Sequence, residues 1–190
     1  MSSQSEKTAS GSDEAALVDR VRRGDTQAFE ILVDRYSDQA FGVAYGFLGH
    51  VQDAEDLVQD GFIRALEQID SLQPGSGFGA WFYRLLVNAA INRRRYLARR
   101  EMSDLPADAA AASDPAAAAE QSDLRRELAR ALHSLPEELE TVVVLHDLEG
   151  FTHPEVARIL GMPEGTSRSH LHRARRVLRE KLKEYEHHLP

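Results

Sequence analysis

The most constraining stretch of this 190-residue chain runs from Glu149 to Lys183: a short amphipathic segment, a glycine–proline break, then a long arginine-rich segment. In the first segment Val156, Ile159 and Leu160 are spaced by three and four residues, the period of one helical face. Thr152 is the expected N-cap, with Glu155 completing a capping box and Pro154 suited to the first turn. Gly161 is expected to take the left-handed C-cap conformation, and Pro163 prevents continuation. Glu164-Gly165-Thr166 restarts a helix that carries Leu171, Ala174, Val177, Leu178 and Leu182 on its inner side. The opposite side carries Arg168, Arg173, Arg175, Arg176, Arg179, Lys181 and Lys183, with only Glu180 of opposite sign. Two helices joined by a short Gly-containing turn, the second cationic, match a helix-turn-helix that reads duplex DNA. Arginine forks suit phosphate and guanine edges.

The formal net charge of −8 speaks against a DNA binder until it is divided along the chain. Residues 1–77 hold 6 basic and 14 acidic side chains, whereas residues 78–100 hold 6 basic and none acidic. Residues 101–140 hold 3 basic and 10 acidic, and within 165–183 the balance is 7 to 1 in favour of basic. Two basic islands in an acidic chain point to two DNA-facing surfaces. The absence of cysteine excludes disulfides, thiolate catalysis and Cys-ligated zinc, and suits a reducing cytosol. No apolar run is long enough to span a bilayer, and the polar, Ser-rich start is not a signal peptide. A cytoplasmic protein without membrane insertion is expected.

Met1 to about Gly11 lacks periodic apolar residues, so residues 1–12 read as a disordered tail. Helices are expected from Asp13 to near Arg23, from about Thr26 to Gly49, from an Asp53 N-cap to Ile69, and from about Phe78 to Arg99. Ser71–Gly79 is a loop by composition, since Pro74, Gly75 and Gly77 discourage helix and strand alike. Glu101–Ser122, acidic and alanine-rich with Pro106 and Pro115, reads as a flexible linker. Helices over Asp123–His133 and Pro136–Leu148 then complete a C-terminal domain. No period-two strand pattern stands out. The expected fold is all-α, with helical domains over residues 13–100 and 123–186 joined by the linker 101–122, the second containing the helix-turn-helix.

Asp53, Asp56 and Asp60 share one helical face at steps of three and four. A calcium loop is excluded because Val58 stands where its glycine belongs. That face reads either as simply solvated or as a docking surface for a cationic partner. His146, His153, His170 and His172 lack zinc-site spacing. No P-loop and no nucleophile–base pair is visible, so no catalytic residue, metal or cofactor is expected. The island at 78–100 combines aromatic residues with Asn88, Asn92 and the Arg93–Arg95, Arg99 and Arg100 cluster, a mixture suited to single-stranded DNA. Trp81 and Phe82 are expected in the core, and Tyr83, at the loop edge, is the candidate stacking ring.

With both islands read, the chain resembles a bacterial RNA polymerase sigma factor of the sigma-70 family, extracytoplasmic-function (ECF) group. The likeness covers roughly Asp13–Arg100 and Asp123–Tyr185. DAEDLVQDGFIRALEQID (Asp53–Asp70) is similar to the family's core-binding helix, and GAWFYRLLVNAAINRRR (Gly79–Arg95) to the helix that reads and opens the −10 element. Leu132–Leu182 resembles the domain that binds the −35 element. The resemblance implies an alternative-sigma initiation factor that binds the clamp and flap regions of core RNA polymerase, recognises both promoter elements and promotes melting, with no cofactor. By position, Asp53, Asp56, Leu57, Gln59 and Asp60 would meet the clamp. Ser71 and Gln73 would belong to a pocket for a flipped −10 base, with Tyr83, Asn88, Asn92 and Arg95 alongside. Arg168, Ser169, His172 and Arg173 would approach −35 base edges, and Arg175 and Arg176 the phosphates. The linker would lie in the RNA exit path, and an anti-sigma factor is a further implied partner. Ser167 stands where the family usually has a small aliphatic residue, His170 where it has arginine, and Thr152-His153-Pro154 differs from its usual opening. The rival readings are a helix-turn-helix regulator acting without core polymerase, and an interaction module whose basic helices bind acidic proteins.

Overall fold

The computed structural model describes residues 3–103 and 127–186, and every regular element among them is helical. In chain order these are α1 (Ser3–Arg22), α2 (Thr26–Leu48), α3 (Val51–Glu67), a single 3-10 turn (Ile69–Ser71) and α4 (Phe78–Ser103). Then follow α5 (127–133), α6 (Glu137–Val143) with a π turn at Val144–Leu148, α7 (His153–Leu160) and α8 (Glu164–Glu186). The expected linker lies outside the described residues from 104 onward, and its first three residues are the last turn of α4. The tail expected to be disordered is helical from Ser3. Compactness divides the chain into two units, Met1–Asn92 with Arg158–Gly161, and Arg93–Ala157 with Met162–Pro190.

In the first unit, helix ends are fixed by identifiable groups. The Asp25 carboxylate accepts from the Ala28 N–H at 3.1 Å and starts α2. Gly49 ends it at φ 66°, a conformation that costs a residue with a Cβ. Helix α3 opens two residues before the expected Asp53, on a His50 N-cap whose side chain makes no capping bond. The start of α4 is capped from a distance: Glu14 Oε1, on α1, accepts from the Phe78 N–H at 2.7 Å. Between α3 and α4 the core is aromatic, with Phe62 stacked on Phe82 at 4.4 Å and Phe82 on Phe78 at 5.6 Å. Each such ring removed from water contributes about 1.5–3 kcal/mol. Gly61 permits this approach, since a Cβ there would lie 3.1 Å from Leu86 Cδ1.

The second unit is built on Val142, Val144, Leu145, Val156 and Ala174, all without solvent exposure. Fully buried Glu140 is paired with Arg94 and lies 2.8 Å from His133 Nδ1, which offsets the cost of burying its charge. The reciprocal bond of the expected capping box is present: the Glu155 carboxylate accepts from the Thr152 N–H (2.9 Å), and also from its hydroxyl (2.7 Å). Gly161 takes φ 67°, as expected of the turn, and α8 restarts at Glu164.

Candidate nucleic-acid interface

Helix α8 is fastened to its unit by Ser167, Leu171 and Ala174, exposed by 0, 4 and 0%. That spacing of four and three turns the remaining faces outward. Arg168, Ser169, His172, Arg173, Arg175 and Arg176 are all exposed, so the six residues expected to meet duplex DNA lie on one accessible helix. Three of them have partners within the chain. Arg168 is paired with Glu164, and the Ser169 hydroxyl donates to the Thr166 carbonyl at 2.9 Å. Arg175 forks onto Asp147 with bonds of 2.9 and 2.5 Å, which pushes its guanidinium above the ordinary range. Ser167 belongs to the core, so it does not face DNA.

The second island divides differently. Arg22 donates to the Leu72 carbonyl at 2.5 Å and the Ile69 carbonyl at 3.2 Å, and Leu72 is buried, so the loop is anchored at its start. Ser71 and Gln73 remain exposed, and Gly75 and Gly77 take left-handed turns at φ 81° and 72°. On α4, Asn88, Asn92 and Arg95 are exposed at steps of four and three, hence on one face; Arg95 reaches Glu137 at 2.7 Å. Tyr83 departs from expectation. Its ring is 3% exposed, packs edge-on against Tyr36, and its hydroxyl donates to Gln39 Oε1 at 3.0 Å. A ring enclosed in this way offers no face to a base, so the stacking role is withdrawn. Trp81, expected in the core, is half-exposed, while Phe82 is fully buried.

On α3, Asp56, Gln59 and Asp60 are exposed, and Asp53 is half-buried beside His50. Leu57 is 7% exposed and part of the core, which removes it from any docking surface. Outward apolar residues toward the end of the helix include Ile63 and Leu66, 50 and 44% exposed. With Phe29, Val33, Phe41 and Val58 they line a groove of about 520 Å³ between α2 and α3. Sequence reading did not single out Ile63. The available signal was the width of the α3 apolar stripe, broader than one packing face needs.

The chain matches the family model "Sigma-70 region 2" over residues 32–100 and "Sigma-70, region 4" over residues 125–178. It is 35% identical to the ECF RNA polymerase sigma-E factor of Haemophilus influenzae, across 88% of this chain and 94% of that one. This chain belongs to the sigma-70 family, in its ECF group. A second ECF sigma factor, SigW of Bacillus subtilis, is 32% identical over 88% of this chain and 95% of its own. Among solved structures, CnrH in complex with the cytosolic domain of CnrY superposes with a TM-score of 0.69 at 26% identity, covering 90% of this chain and 97% of that chain. The sigma factor RpoE from Bartonella quintana, in complex with the anti-sigma factor NepR, gives 0.60 at 25% identity, covering 82% and 96%. An ECF sigma factor carrying both regions acts in alternative-sigma transcription initiation, the function expected of this chain. No helix among the described residues is long and apolar enough to cross a membrane.

Proposed function

We propose that this ECF sigma factor assigns its surfaces as follows: α8 reads the −35 element, the loop after α3 together with α4 engages the −10 strand, and α3 docks on core RNA polymerase. The carrying observation is the accessible row Arg168, Ser169, His172, Arg173 and Arg176 on a helix whose opposite side is locked into the core. Arg173 supplies a base-reading fork, and Arg175 and Arg176 supply phosphate contacts. Ser71, Gln73, Asn88, Asn92 and Arg95 are exposed polar groups available to an unstacked strand. Asp53, Asp56, Gln59 and Asp60 present the acidic docking face. The protein works in the cytoplasm without a cofactor, and bond formation belongs to the polymerase. An anti-sigma factor is inferred as a further partner, because the similar sigma factor RpoE from Bartonella quintana was solved in complex with the anti-sigma factor NepR.

The test is co-elution with purified core RNA polymerase. Wild type is expected to co-elute, and the double variant Asp56→Arg, Asp60→Arg to bind about tenfold more weakly or worse, from like-charge rejection of a cationic surface. Unchanged co-elution would remove the α3 face from the assignment. On promoter DNA, Arg173→Ala should cost roughly 1–3 kcal/mol at the −35 element only. An equal loss on every sequence would make Arg173 a phosphate contact. Asn88→Ala should impair strand opening more than duplex binding, and permanganate footprints identical to wild type would contradict that role.

A further inference from the structure

The buried hydroxyl of Ser167 lies on α8 directly before Arg168 and Ser169, and it has no solvent exposure. It meets His153, the first residue of α7, with Oγ 2.9 Å from Nδ1. The imidazole of His153 lies in turn on that of His146, from the π turn, with ring centroids 4.3 Å apart and planes 14° from parallel. His146 is itself oriented, because its Nδ1 lies 2.7 Å from the Phe151 carbonyl oxygen and must donate to it. Three elements are thus joined at the start of the promoter-reading helix, through two stacked rings and one buried hydroxyl.

We propose that His153 is a positioning residue for promoter recognition: as a neutral acceptor it holds the Ser167 hydroxyl, and that bond sets the seating of α8 and its exposed reading row. The inference rests on the sigma-factor assignment of α8. Its chemistry is that of hydrogen-bond inventory. A buried hydroxyl needs an acceptor for its proton, and a neutral imidazole with the proton on Nε2 offers Nδ1. A protonated imidazole only donates, so protonation leaves the hydroxyl without that acceptor and brings a cation against the His146 ring.

The surroundings oppose that protonation. Burial comes first, then His146, then Arg168 and Arg175 against the single opposing Glu164, and together they hold His153 below the ordinary imidazole range. Arg175 is in turn bound by Asp147 of the π turn and Arg168 by Glu164, so the formal charges facing His153 from that turn and from α8 cancel, and burial remains the leading cause. The native state thus takes up the proton less readily than the unfolded chain. The arrangement keeps its full stability above the ordinary imidazole value, and loses it as pH falls below that value.

The test uses full-length protein in holoenzyme with core polymerase and a promoter duplex. It measures the ratio of affinities for intact and scrambled −35 elements from about pH 5.5 to about pH 8. The ratio cancels any effect of pH on affinity that is the same for every DNA sequence. Wild type should lose about tenfold in this ratio across the range, the scale of one buried hydrogen bond. His153→Asn, which can offer an amide oxygen near the place of Nδ1 but cannot titrate, should keep neutral-pH discrimination and flatten the profile. Ser167→Ala, which leaves no hydroxyl to satisfy, should weaken the pH dependence while staying folded by circular dichroism. If His153→Asn and Ser167→Ala both follow the wild-type profile, the positioning role is overturned. If wild type shows no preference for any −35 element at any pH, the assignment of α8 fails and the inference with it.

Discussion

Arg175 is the residue whose free-state partner most directly opposes its proposed work. Its fork is held by Asp147, across a pair 53 and 24% exposed. Exposed pairs contribute little, so Asp147→Asn should change unfolding free energy by less than about 1 kcal/mol. It should also release one cation for phosphate, tightening DNA binding and steepening the salt dependence by roughly one unit of log–log slope. Anisotropy titrations over a salt series read both. A slope equal to wild type would mean that Arg175 never reaches the backbone. Residues of this kind mark where sequence reading reached its limit. Periodicity correctly placed Leu171 and Ala174 inward and the arginines outward, because that contrast is a property of the helix itself. It could not show that Asp147, 28 positions away, occupies Arg175. Nor could it show that Tyr83 turns inward to Gln39, since a tyrosine beside a loop fits either side of a helix.

At the scale of elements, α4 depends on α1. Glu14 bonds the Phe78 N–H through one carboxylate oxygen and the Tyr36 hydroxyl through the other, fixing the first turn of the helix that carries Asn88 and Asn92. The half-buried phenol of Tyr36 is held well above the ordinary tyrosine range, first by burial and then by its bond to Glu14. Glu14→Ala should therefore cost about 1.5–3 kcal/mol, as loss of a charge-assisted hydrogen bond does. Urea unfolding checks this, and a loss near zero would mean that water replaces the cap. Gly79 is the second constraint. A Cβ there would lie 2.9 Å from Tyr36 Cε1 and 3.0 Å from its hydroxyl, against a rigid ring already bonded. Gly79→Ala should destabilise by about 1–3 kcal/mol despite alanine's better helix propensity. The extent of α4 was legible from composition, since aromatic and apolar residues lead into arginines without a breaker. Its remote cap was not, because capping rules read neighbours along the chain and Glu14 lies 64 residues before Phe78. The same limit explains α3, where Asp53 had the chemistry of an N-cap but the helix was already under way at Val51.

For the whole molecule, the organisation was legible because charge is distributed so unevenly. An overall charge of −8 conceals two basic islands, and the structure presents many of their arginines on exposed helical faces. The acidic remainder supplies a different surface, the α3 face beside an apolar groove between α2 and α3. A regulator acting alone needs DNA affinity but has no use for that face, whereas an initiation factor needs both. Sequence periodicity could not delimit the groove, because it forms from residues of two helices whose rotation is set by packing. The most direct measurement is transcription from a fragmented genomic library of the source organism, with transcript 5′ ends mapped, using this protein with and without core RNA polymerase. The expected result is a set of start sites that require both components and share −35 and −10 elements. Binding of the protein alone to specific DNA, with no start site that depends on it, would contradict the initiation role and favour a regulator that works without core polymerase.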